Sequence, residues 1–228
     1  MSVLSRMPKA VLFDLDGTLI DSAPDIREAL NETLATEGVA PFDIETVKHL
    51  VGGGVQVLIE RAFRRRGLPL SPDDRERIAA RFVATYEPRA TRLTALTAGA
   101  REAVEGARAL GTKTGVVTNK PEAPTRAILA HYGLADLMDV VIGGDAGPPK
   151  KPAPDLLLLA ASRLALGPAD CLFVGDSEND VEAAKAAGMP VAALEDGYTA
   201  LAPSDLRADI LLSRADDLLR HFPDEAGL

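Results

Sequence analysis

The sequence predicts an α/β protein: a doubly wound parallel sheet carrying an inserted α-helical cap domain. Three observations carry this. From residue 99 onward, apolar runs of four or five residues alternate with segments of helical period, the signature of parallel strands joined by crossover helices. Between the first run (residues 10–13) and the next lies a long stretch, 22–94, with helical period and no strand pattern. Polar residues follow directly on several runs, at the strand ends where open parallel sheets bind ligands.

Ala10-Val11-Leu12-Phe13 is apolar at every position, as a strand buried on both faces must be. Asp14 and Asp16 follow at once, then Gly17-Thr18. Two acids against a buried strand end are costly unless something cationic sits there, although the same residues also suit a plain Asp-Gly turn. Ser22 is placed to cap a helix with Pro24 in its first turn. Ile26, Ala29, Leu30 and Leu34 then share a face, and Gly38 stops the helix. Val55, Leu58, Ile59, Ala62 and Phe63 mark a second helix ending at Gly67. Ser71-Pro72-Asp73 opens a third, with Ile78, Phe82 and Tyr86 on one side. The expected division is residues 1–20 and 95–228 for the α/β core and 21–94 for the cap, hanging over the C-terminal edge of the sheet. In the core, helices are expected over 100–110, 121–132, 153–166 and 178–187. Strands are expected over 114–118, 139–142, 171–175, 191–194 and 209–212, before a short terminal helix.

The 228 residues carry a net charge of −9, which argues against a nucleic-acid partner. The single cysteine, Cys171, rules out a disulfide framework or thiol metal cluster. No apolar run reaches membrane-spanning length, and residues 1–9 lack a signal-peptide apolar segment. The expectation is a soluble cytoplasmic protein, monomer or homodimer, free of membrane and nucleic acid. His49, His131 and His221 have no spacing that suggests metal or catalysis. Arginines concentrate in the insert: residues 21–96 hold ten of them, and for most a solvated helix face is the expected place.

Three further strand ends are polar: Thr118-Asn119-Lys120, the loop reaching Lys150-Lys151-Pro152, and Asp176-Ser177-Glu178-Asn179-Asp180. Neighbouring parallel strands should gather these beside Asp14 and Asp16. Taken in order, Asp14-Leu15-Asp16-Gly17-Thr18, Thr118, Lys151 before Pro152, and Gly175-Asp176 with Asp180 resemble the four motifs of the haloacid dehalogenase superfamily, with its Rossmann-like core. Within it the chain is similar to the phosphoglycolate phosphatases, through residues 13–21, Val116-Val117-Thr118-Asn119-Lys120-Pro121, Gly143-Gly144-Asp145, Lys151-Pro152-Ala153-Pro154 and Gly175-Asp176-Ser177-Glu178-Asn179-Asp180. It departs where the chain returns from the insert: Thr97-Ala98-Gly99 stands where that family often has Tyr-Pro-Gly.

The resemblance implies a phosphomonoester hydrolase acting on a small anionic phosphate ester. It implies that Asp14 is the nucleophile and a metal ligand, that Asp16 is the general acid and base and lends its backbone carbonyl to the metal, and that Asp176 completes the ligands with Asp180 behind it. Lys151 would add positive charge, and Thr118 and Asn119 would hydrogen-bond the phosphoryl group. The chemistry agrees with these residue types. A carboxylate attacking a phosphate anion at about 4 Å faces roughly 4 kcal/mol of repulsion per charge pair at an effective dielectric near 20. A hard divalent ion with oxygen ligands, Mg²⁺, answers that need. Gly52-Gly53-Gly54, read either as a helix-breaking turn or as a cap loop touching substrate through Gly53, follows no strand and is no nucleotide loop. For 2-phosphoglycolate, the substrate that the resemblance implies, an insert arginine, Arg61 and Arg64 being nearest that loop, or backbone amides would meet the carboxylate. Lys120 reads as a possible helix cap and Lys150 as a solvated neighbour of Lys151. Other superfamily phosphatases, pyrophosphatases and sugar-phosphate mutases share these motifs. A phospho-accepting receiver domain also has strand-end acids, a Thr and a Lys, but no helical insert and no need of Asp16.

Overall fold

The protein is described here by a computed structural model covering residue 4 and residues 6–223. The N-terminal expectation and the last residues of the expected core, 224–228, fall partly outside the described residues. A central sheet of six parallel strands has the order β5-β4-β1-β6-β7-β8. These are β1 (Ala10–Phe13), β4 (Lys113–Val117), β5 (Val140–Ile142), β6 (Cys171–Gly175), β7 (Val191–Leu194) and β8 (Ile210–Leu212). β1 is central, hydrogen-bonded to β4 on one side and β6 on the other, with Phe13 level with both Val116 and Val174. The chain therefore runs outward one way through β4 and β5 and the other way through β6, β7 and β8. The strand order reverses beside β1, which is where such sheets bind ligands.

The continuous apolar run of β1 has a direct cause. Val11 and Phe13 enter the core on one face of the sheet, while Ala10 and Leu12 enter the core on the other. Helices α5 (Ala100–Ala109), α6 (Glu122–His131), α7 (Asp155–Arg163) and α8 (Glu178–Ala187) complete the alternation. The expected terminal helix is a 3₁₀ run, Ala215–His221, packed on α5. Gly99 opens α5 with φ +78°, and a Cβ there would run into Asp216 of that run. The glycine of the return segment is thus required by packing, whatever its two predecessors are.

Two short strands and a one-turn helix were not expected. β2 (Ile20–Asp21) and β3 (Ala95–Leu96) form a two-stranded antiparallel pair, so the chain leaves for the insert and returns side by side. Between them lie α1 (Ala23–Thr36), the five-residue α2 (Ile44–Lys48), α3 (Val55–Arg65) and α4 (Pro72–Tyr86). Two-residue strands and a one-turn helix are too short to show a period. α4 packs on both α1 and α3, and its cap is the expected one: Ser71 Oγ accepts from the Asp74 N–H at 3.1 Å. Ser22 is different. It precedes α1 but makes no capping hydrogen bond, and its hydroxyl is used elsewhere. Among the described residues no helix is long and apolar enough to cross a membrane.

Candidate active site

The chain leaving β1 delivers Asp14 at its end, and the Asp14 N–H donates to the Val174 carbonyl of β6 at 2.8 Å. β6 in turn delivers Asp176. The carboxylate oxygens of Asp14, Asp176 and Asp180 gather within 4.8 Å of one another, all buried. Gly17 permits this approach: at φ +87°, it faces Asp176 where a Cβ would collide with the carboxylate. Thr18 Oγ1 donates to Asp176 Oδ1 at 3.1 Å, and the Tyr198 N–H donates to Asp176 Oδ2 at 2.6 Å.

Lys151, 3% exposed, is the cation set among these acids. Its ammonium donates to Asp180 Oδ1 at 2.6 Å and stands 2.9 Å from Asp14 Oδ1. That second approach is off the hydrogen-bonding direction, leaving Asp14 Oδ1 a buried acceptor without a donor. Asp180 Oδ2 accepts from the Asp176 and Ser177 N–H groups and from Ser177 Oγ, at 3.2, 3.1 and 2.8 Å. Both Asp180 oxygens are committed to the protein, the arrangement of a supporting acid.

Burial pushes the Asp14 carboxyl up to about 6, with Lys151 pulling down and Asp180 pushing up. Burial, then Asp180 and Asp14, hold Asp176 well above the ordinary carboxyl range. For Lys151, burial acts against the charge, and Asp14 and Asp180 outweigh it, so the ammonium is held above its usual range. Three carboxylates thus share one ammonium. The deficit of two charges and the all-oxygen donor set fit a hard divalent cation.

Asp16 lies apart from this cluster. Its carboxylate accepts from Ser22 Oγ at 2.6 Å and from Lys120 Nζ at 2.8 and 3.0 Å. Lys120 is 9% exposed and also donates to the Tyr86 hydroxyl, at 2.9 Å. The helix-cap reading of Lys120 is therefore overturned: its ammonium is held between a core acid and a tyrosine of α4. Burial opposes its charge, while Asp16 and Tyr86 more than offset that and raise it above the usual range.

Thr118 lies at the end of β4 and lines the cleft. Asn119 lines it too, but its amide is used structurally. Its Nδ2 donates to the Gly52 carbonyl at 2.7 Å and the Lys151 carbonyl at 2.9 Å, and its Oδ1 accepts from the Lys151 N–H at 2.9 Å. Asn119 thus positions Lys151 and docks the glycine loop, and in this arrangement its side chain has no donor left for a phosphoryl group. Gly52 and Gly54 line the cleft and Gly53 does not; a Cβ on Gly53 would meet Val57 instead.

Among the described residues, no arginine lines the cleft. Arg61 donates to the Leu50 and Val51 carbonyls at 3.4 and 3.0 Å, and Arg64 pairs with Glu60 in solvent. The cap lines it instead with Ile26, Val51, Val55, Leu58, Phe82 and Val83, together with Tyr86 and Glu87. Tyr198, missed in the sequence, links metal site to insert: its hydroxyl donates to Asp21 at 2.5 Å and accepts from the Ala23 N–H at 2.9 Å. Its signal was its place just beyond β7, at the same sheet edge as the other polar groups. Cys171 is buried at the start of β6, where burial pushes its thiol up to about 11, an inert structural residue.

Comparison with known proteins agrees with this geometry. The model of the haloacid dehalogenase-like hydrolases matches residues 8–188. The chain belongs to this family. It is a hydrolase, and the receiver-domain reading falls away. The phosphoglycolate phosphatase of Cereibacter sphaeroides is 42% identical over 208 residues, covering 91% of this chain and 94% of its own. The crystal structure of a predicted phosphoglycolate phosphatase from Haemophilus somnus superposes with a TM-score of 0.87 at 29% identity, covering 95% of this chain and 99% of that one. CbbY from Rhodobacter sphaeroides, in complex with phosphate, gives 0.79 at 28% identity, with 93% and 96% covered.

Proposed function

We propose that this hydrolase is a Mg²⁺-dependent phosphoglycolate phosphatase, converting 2-phosphoglycolate to glycolate and phosphate. The observation that carries the reading is the pair of acids on the cleft floor, held in opposite ways. Asp14 keeps a bare oxygen beside Lys151, as a nucleophile needs, whereas Asp16 is oriented by Ser22 and Lys120. The relatives support the substrate.

Asp14 Oδ1 attacks phosphorus and the bond to the leaving oxygen breaks. Asp16 gives that oxygen its proton, releasing glycolate. In the second half, Asp16 takes a proton from water, the water oxygen attacks phosphorus, and the phosphorus–Asp14 bond breaks, returning the carboxylate. Lys151 stabilises the nucleophile's charge and orients it, and Thr118 offers its hydroxyl to the phosphoryl oxygens. Asp14, Asp176 and the Asp16 backbone carbonyl are the groups that would hold Mg²⁺, which when bound supplies the positive charge that lets one anion approach another.

Steady-state kinetics test the substrate. The expected kcat/KM for 2-phosphoglycolate exceeds that for ethyl phosphate by about tenfold or more, the worth of one charge-assisted contact. Equal values would reject the assignment, as would a large preference for a hexose phosphate.

A further inference from the structure

The substrate's geometry restricts where its carboxylate can be read. In 2-phosphoglycolate the carboxylate carbon is two bonds from the leaving oxygen, the atom that Asp16 protonates. The group that recognises it must therefore stand beside Asp16. Among the residues lining the cleft, one cation does: Lys120, 2.8 Å from Asp16 Oδ1. The other charged lining residues, Asp14, Asp16 and Glu87, are acids that repel a carboxylate. Lys151 is enclosed between Asp14 and Asp180.

We propose that Lys120 and Tyr86 together bind the substrate carboxylate and set the specificity of the site, an assignment that rests on the reading of 2-phosphoglycolate as substrate. The Tyr86 hydroxyl accepts from Lys120 and so keeps its own hydrogen to donate. Lys120 gives its three hydrogens to the two Asp16 oxygens and to Tyr86. Once Asp16 carries the proton it is to donate, one of the first two is released, and the pair then presents one N–H and one O–H to a single carboxylate, a two-point contact that an uncharged tail cannot use. Burial first among the causes holds the Tyr86 hydroxyl above its ordinary range, so the hydrogen stays on it. Tyr86 ends α4 of the insert, while Lys120 follows β4 of the core. The carboxylate therefore sits where insert meets core, and recognition requires both to be in place. Lys120 also balances Asp16 in the absence of substrate, which accounts for a buried lysine in a site built to receive an anion.

The test is the ratio of kcat/KM for 2-phosphoglycolate to that for ethyl phosphate, measured for wild type, Lys120→Met, Tyr86→Phe and Lys150→Met. Wild type first tests the substrate itself: a ratio near one overturns both readings. Given a wild-type preference, Lys120→Met lowers turnover of both esters, because Asp16 loses its partner, and brings the ratio down to about one. A preference retained in full by Lys120→Met overturns this inference and leaves the substrate standing. Should Lys120→Met fail to fold, Tyr86→Phe decides, since it keeps the ring and its packing on Phe82. Its ratio should fall about threefold or more, and an unchanged ratio overturns the proposal. Lys150, exposed beside Gly54 at the rim, is the rival cation. Its replacement should leave the ratio unaltered, and loss of the preference there would transfer the role to it.

Discussion

Asp176 can reach Asp14 because residue 17 has no side chain. Gly17 combines a backbone conformation that costs other residues about 1–2 kcal/mol with a Cβ position already taken by the Asp176 carboxylate. Gly17→Ala should therefore act on the metal before it acts on the fold. The expected outcome is a protein that still unfolds cooperatively but needs roughly 10–100-fold more Mg²⁺ for half-maximal activity, the usual penalty for disturbing what orients a ligand. A Mg²⁺ titration of turnover measures it, and an unshifted midpoint would mean that Asp176 is not a ligand. Lys120 makes the complementary point. Its type and place beside Thr118 were visible in the sequence, but its two partners lie 104 and 34 residues away, Asp16 and Tyr86.

At the level of elements, a buried acid ties the two ends of the insert together. Asp25 of α1 is fully buried, and its Oδ2 accepts from the Leu93 N–H, the Thr94 N–H and Thr94 Oγ1 at 2.9, 2.8 and 2.8 Å. It binds the start of the insert to its end beside β2 and β3. Asp25→Ala leaves two backbone N–H groups and a hydroxyl without an acceptor, and should cost roughly 2–4 kcal/mol in urea-induced unfolding. Asp25→Asn retains an acceptor oxygen and should cost less. Equal stability of Asp25→Ala and wild type would show that water replaces the carboxylate without loss. The insert's helices were evident from their apolar stripes, whereas this attachment was not: an Asp in the first turn of a helix reads as an ordinary dipole partner.

The whole molecule is needed to assemble the metal site, since Asp14 follows β1 and Asp176 follows β6, 162 residues apart in number but adjacent in the sheet. Mg²⁺ should therefore stabilise the folded state alone. At a hundredfold excess over Kd the gain is about 2.7 kcal/mol, and at roughly 2–4 °C per kcal/mol for a chain of this size the melting temperature should rise by roughly 5–10 °C. Asp14→Ala should abolish most of that rise, and excess EDTA should abolish turnover, restored by adding Mg²⁺. Full activity in EDTA would remove the metal from the mechanism.

The sequence by itself determined the sheet, the place of the insert and the identity of the acids. β1 must be apolar on both faces, the insert helices must carry stripes, and strand-end acids have no structural reason to be there unless a cation joins them. All of these are constraints within a few residues. Tertiary structure alone decided which cation faces which acid. It set Lys151 on Asp14 and Asp180 but Lys120 on Asp16 and Tyr86. It spent the Asn119 amide on the glycine loop and turned the insert's Arg61 and Arg64 away from the cleft. The physical reason is that a charge pair depends on distance through space, and here that distance is fixed by how α4 and the glycine loop settle over the sheet edge, a packing outcome that no local period records.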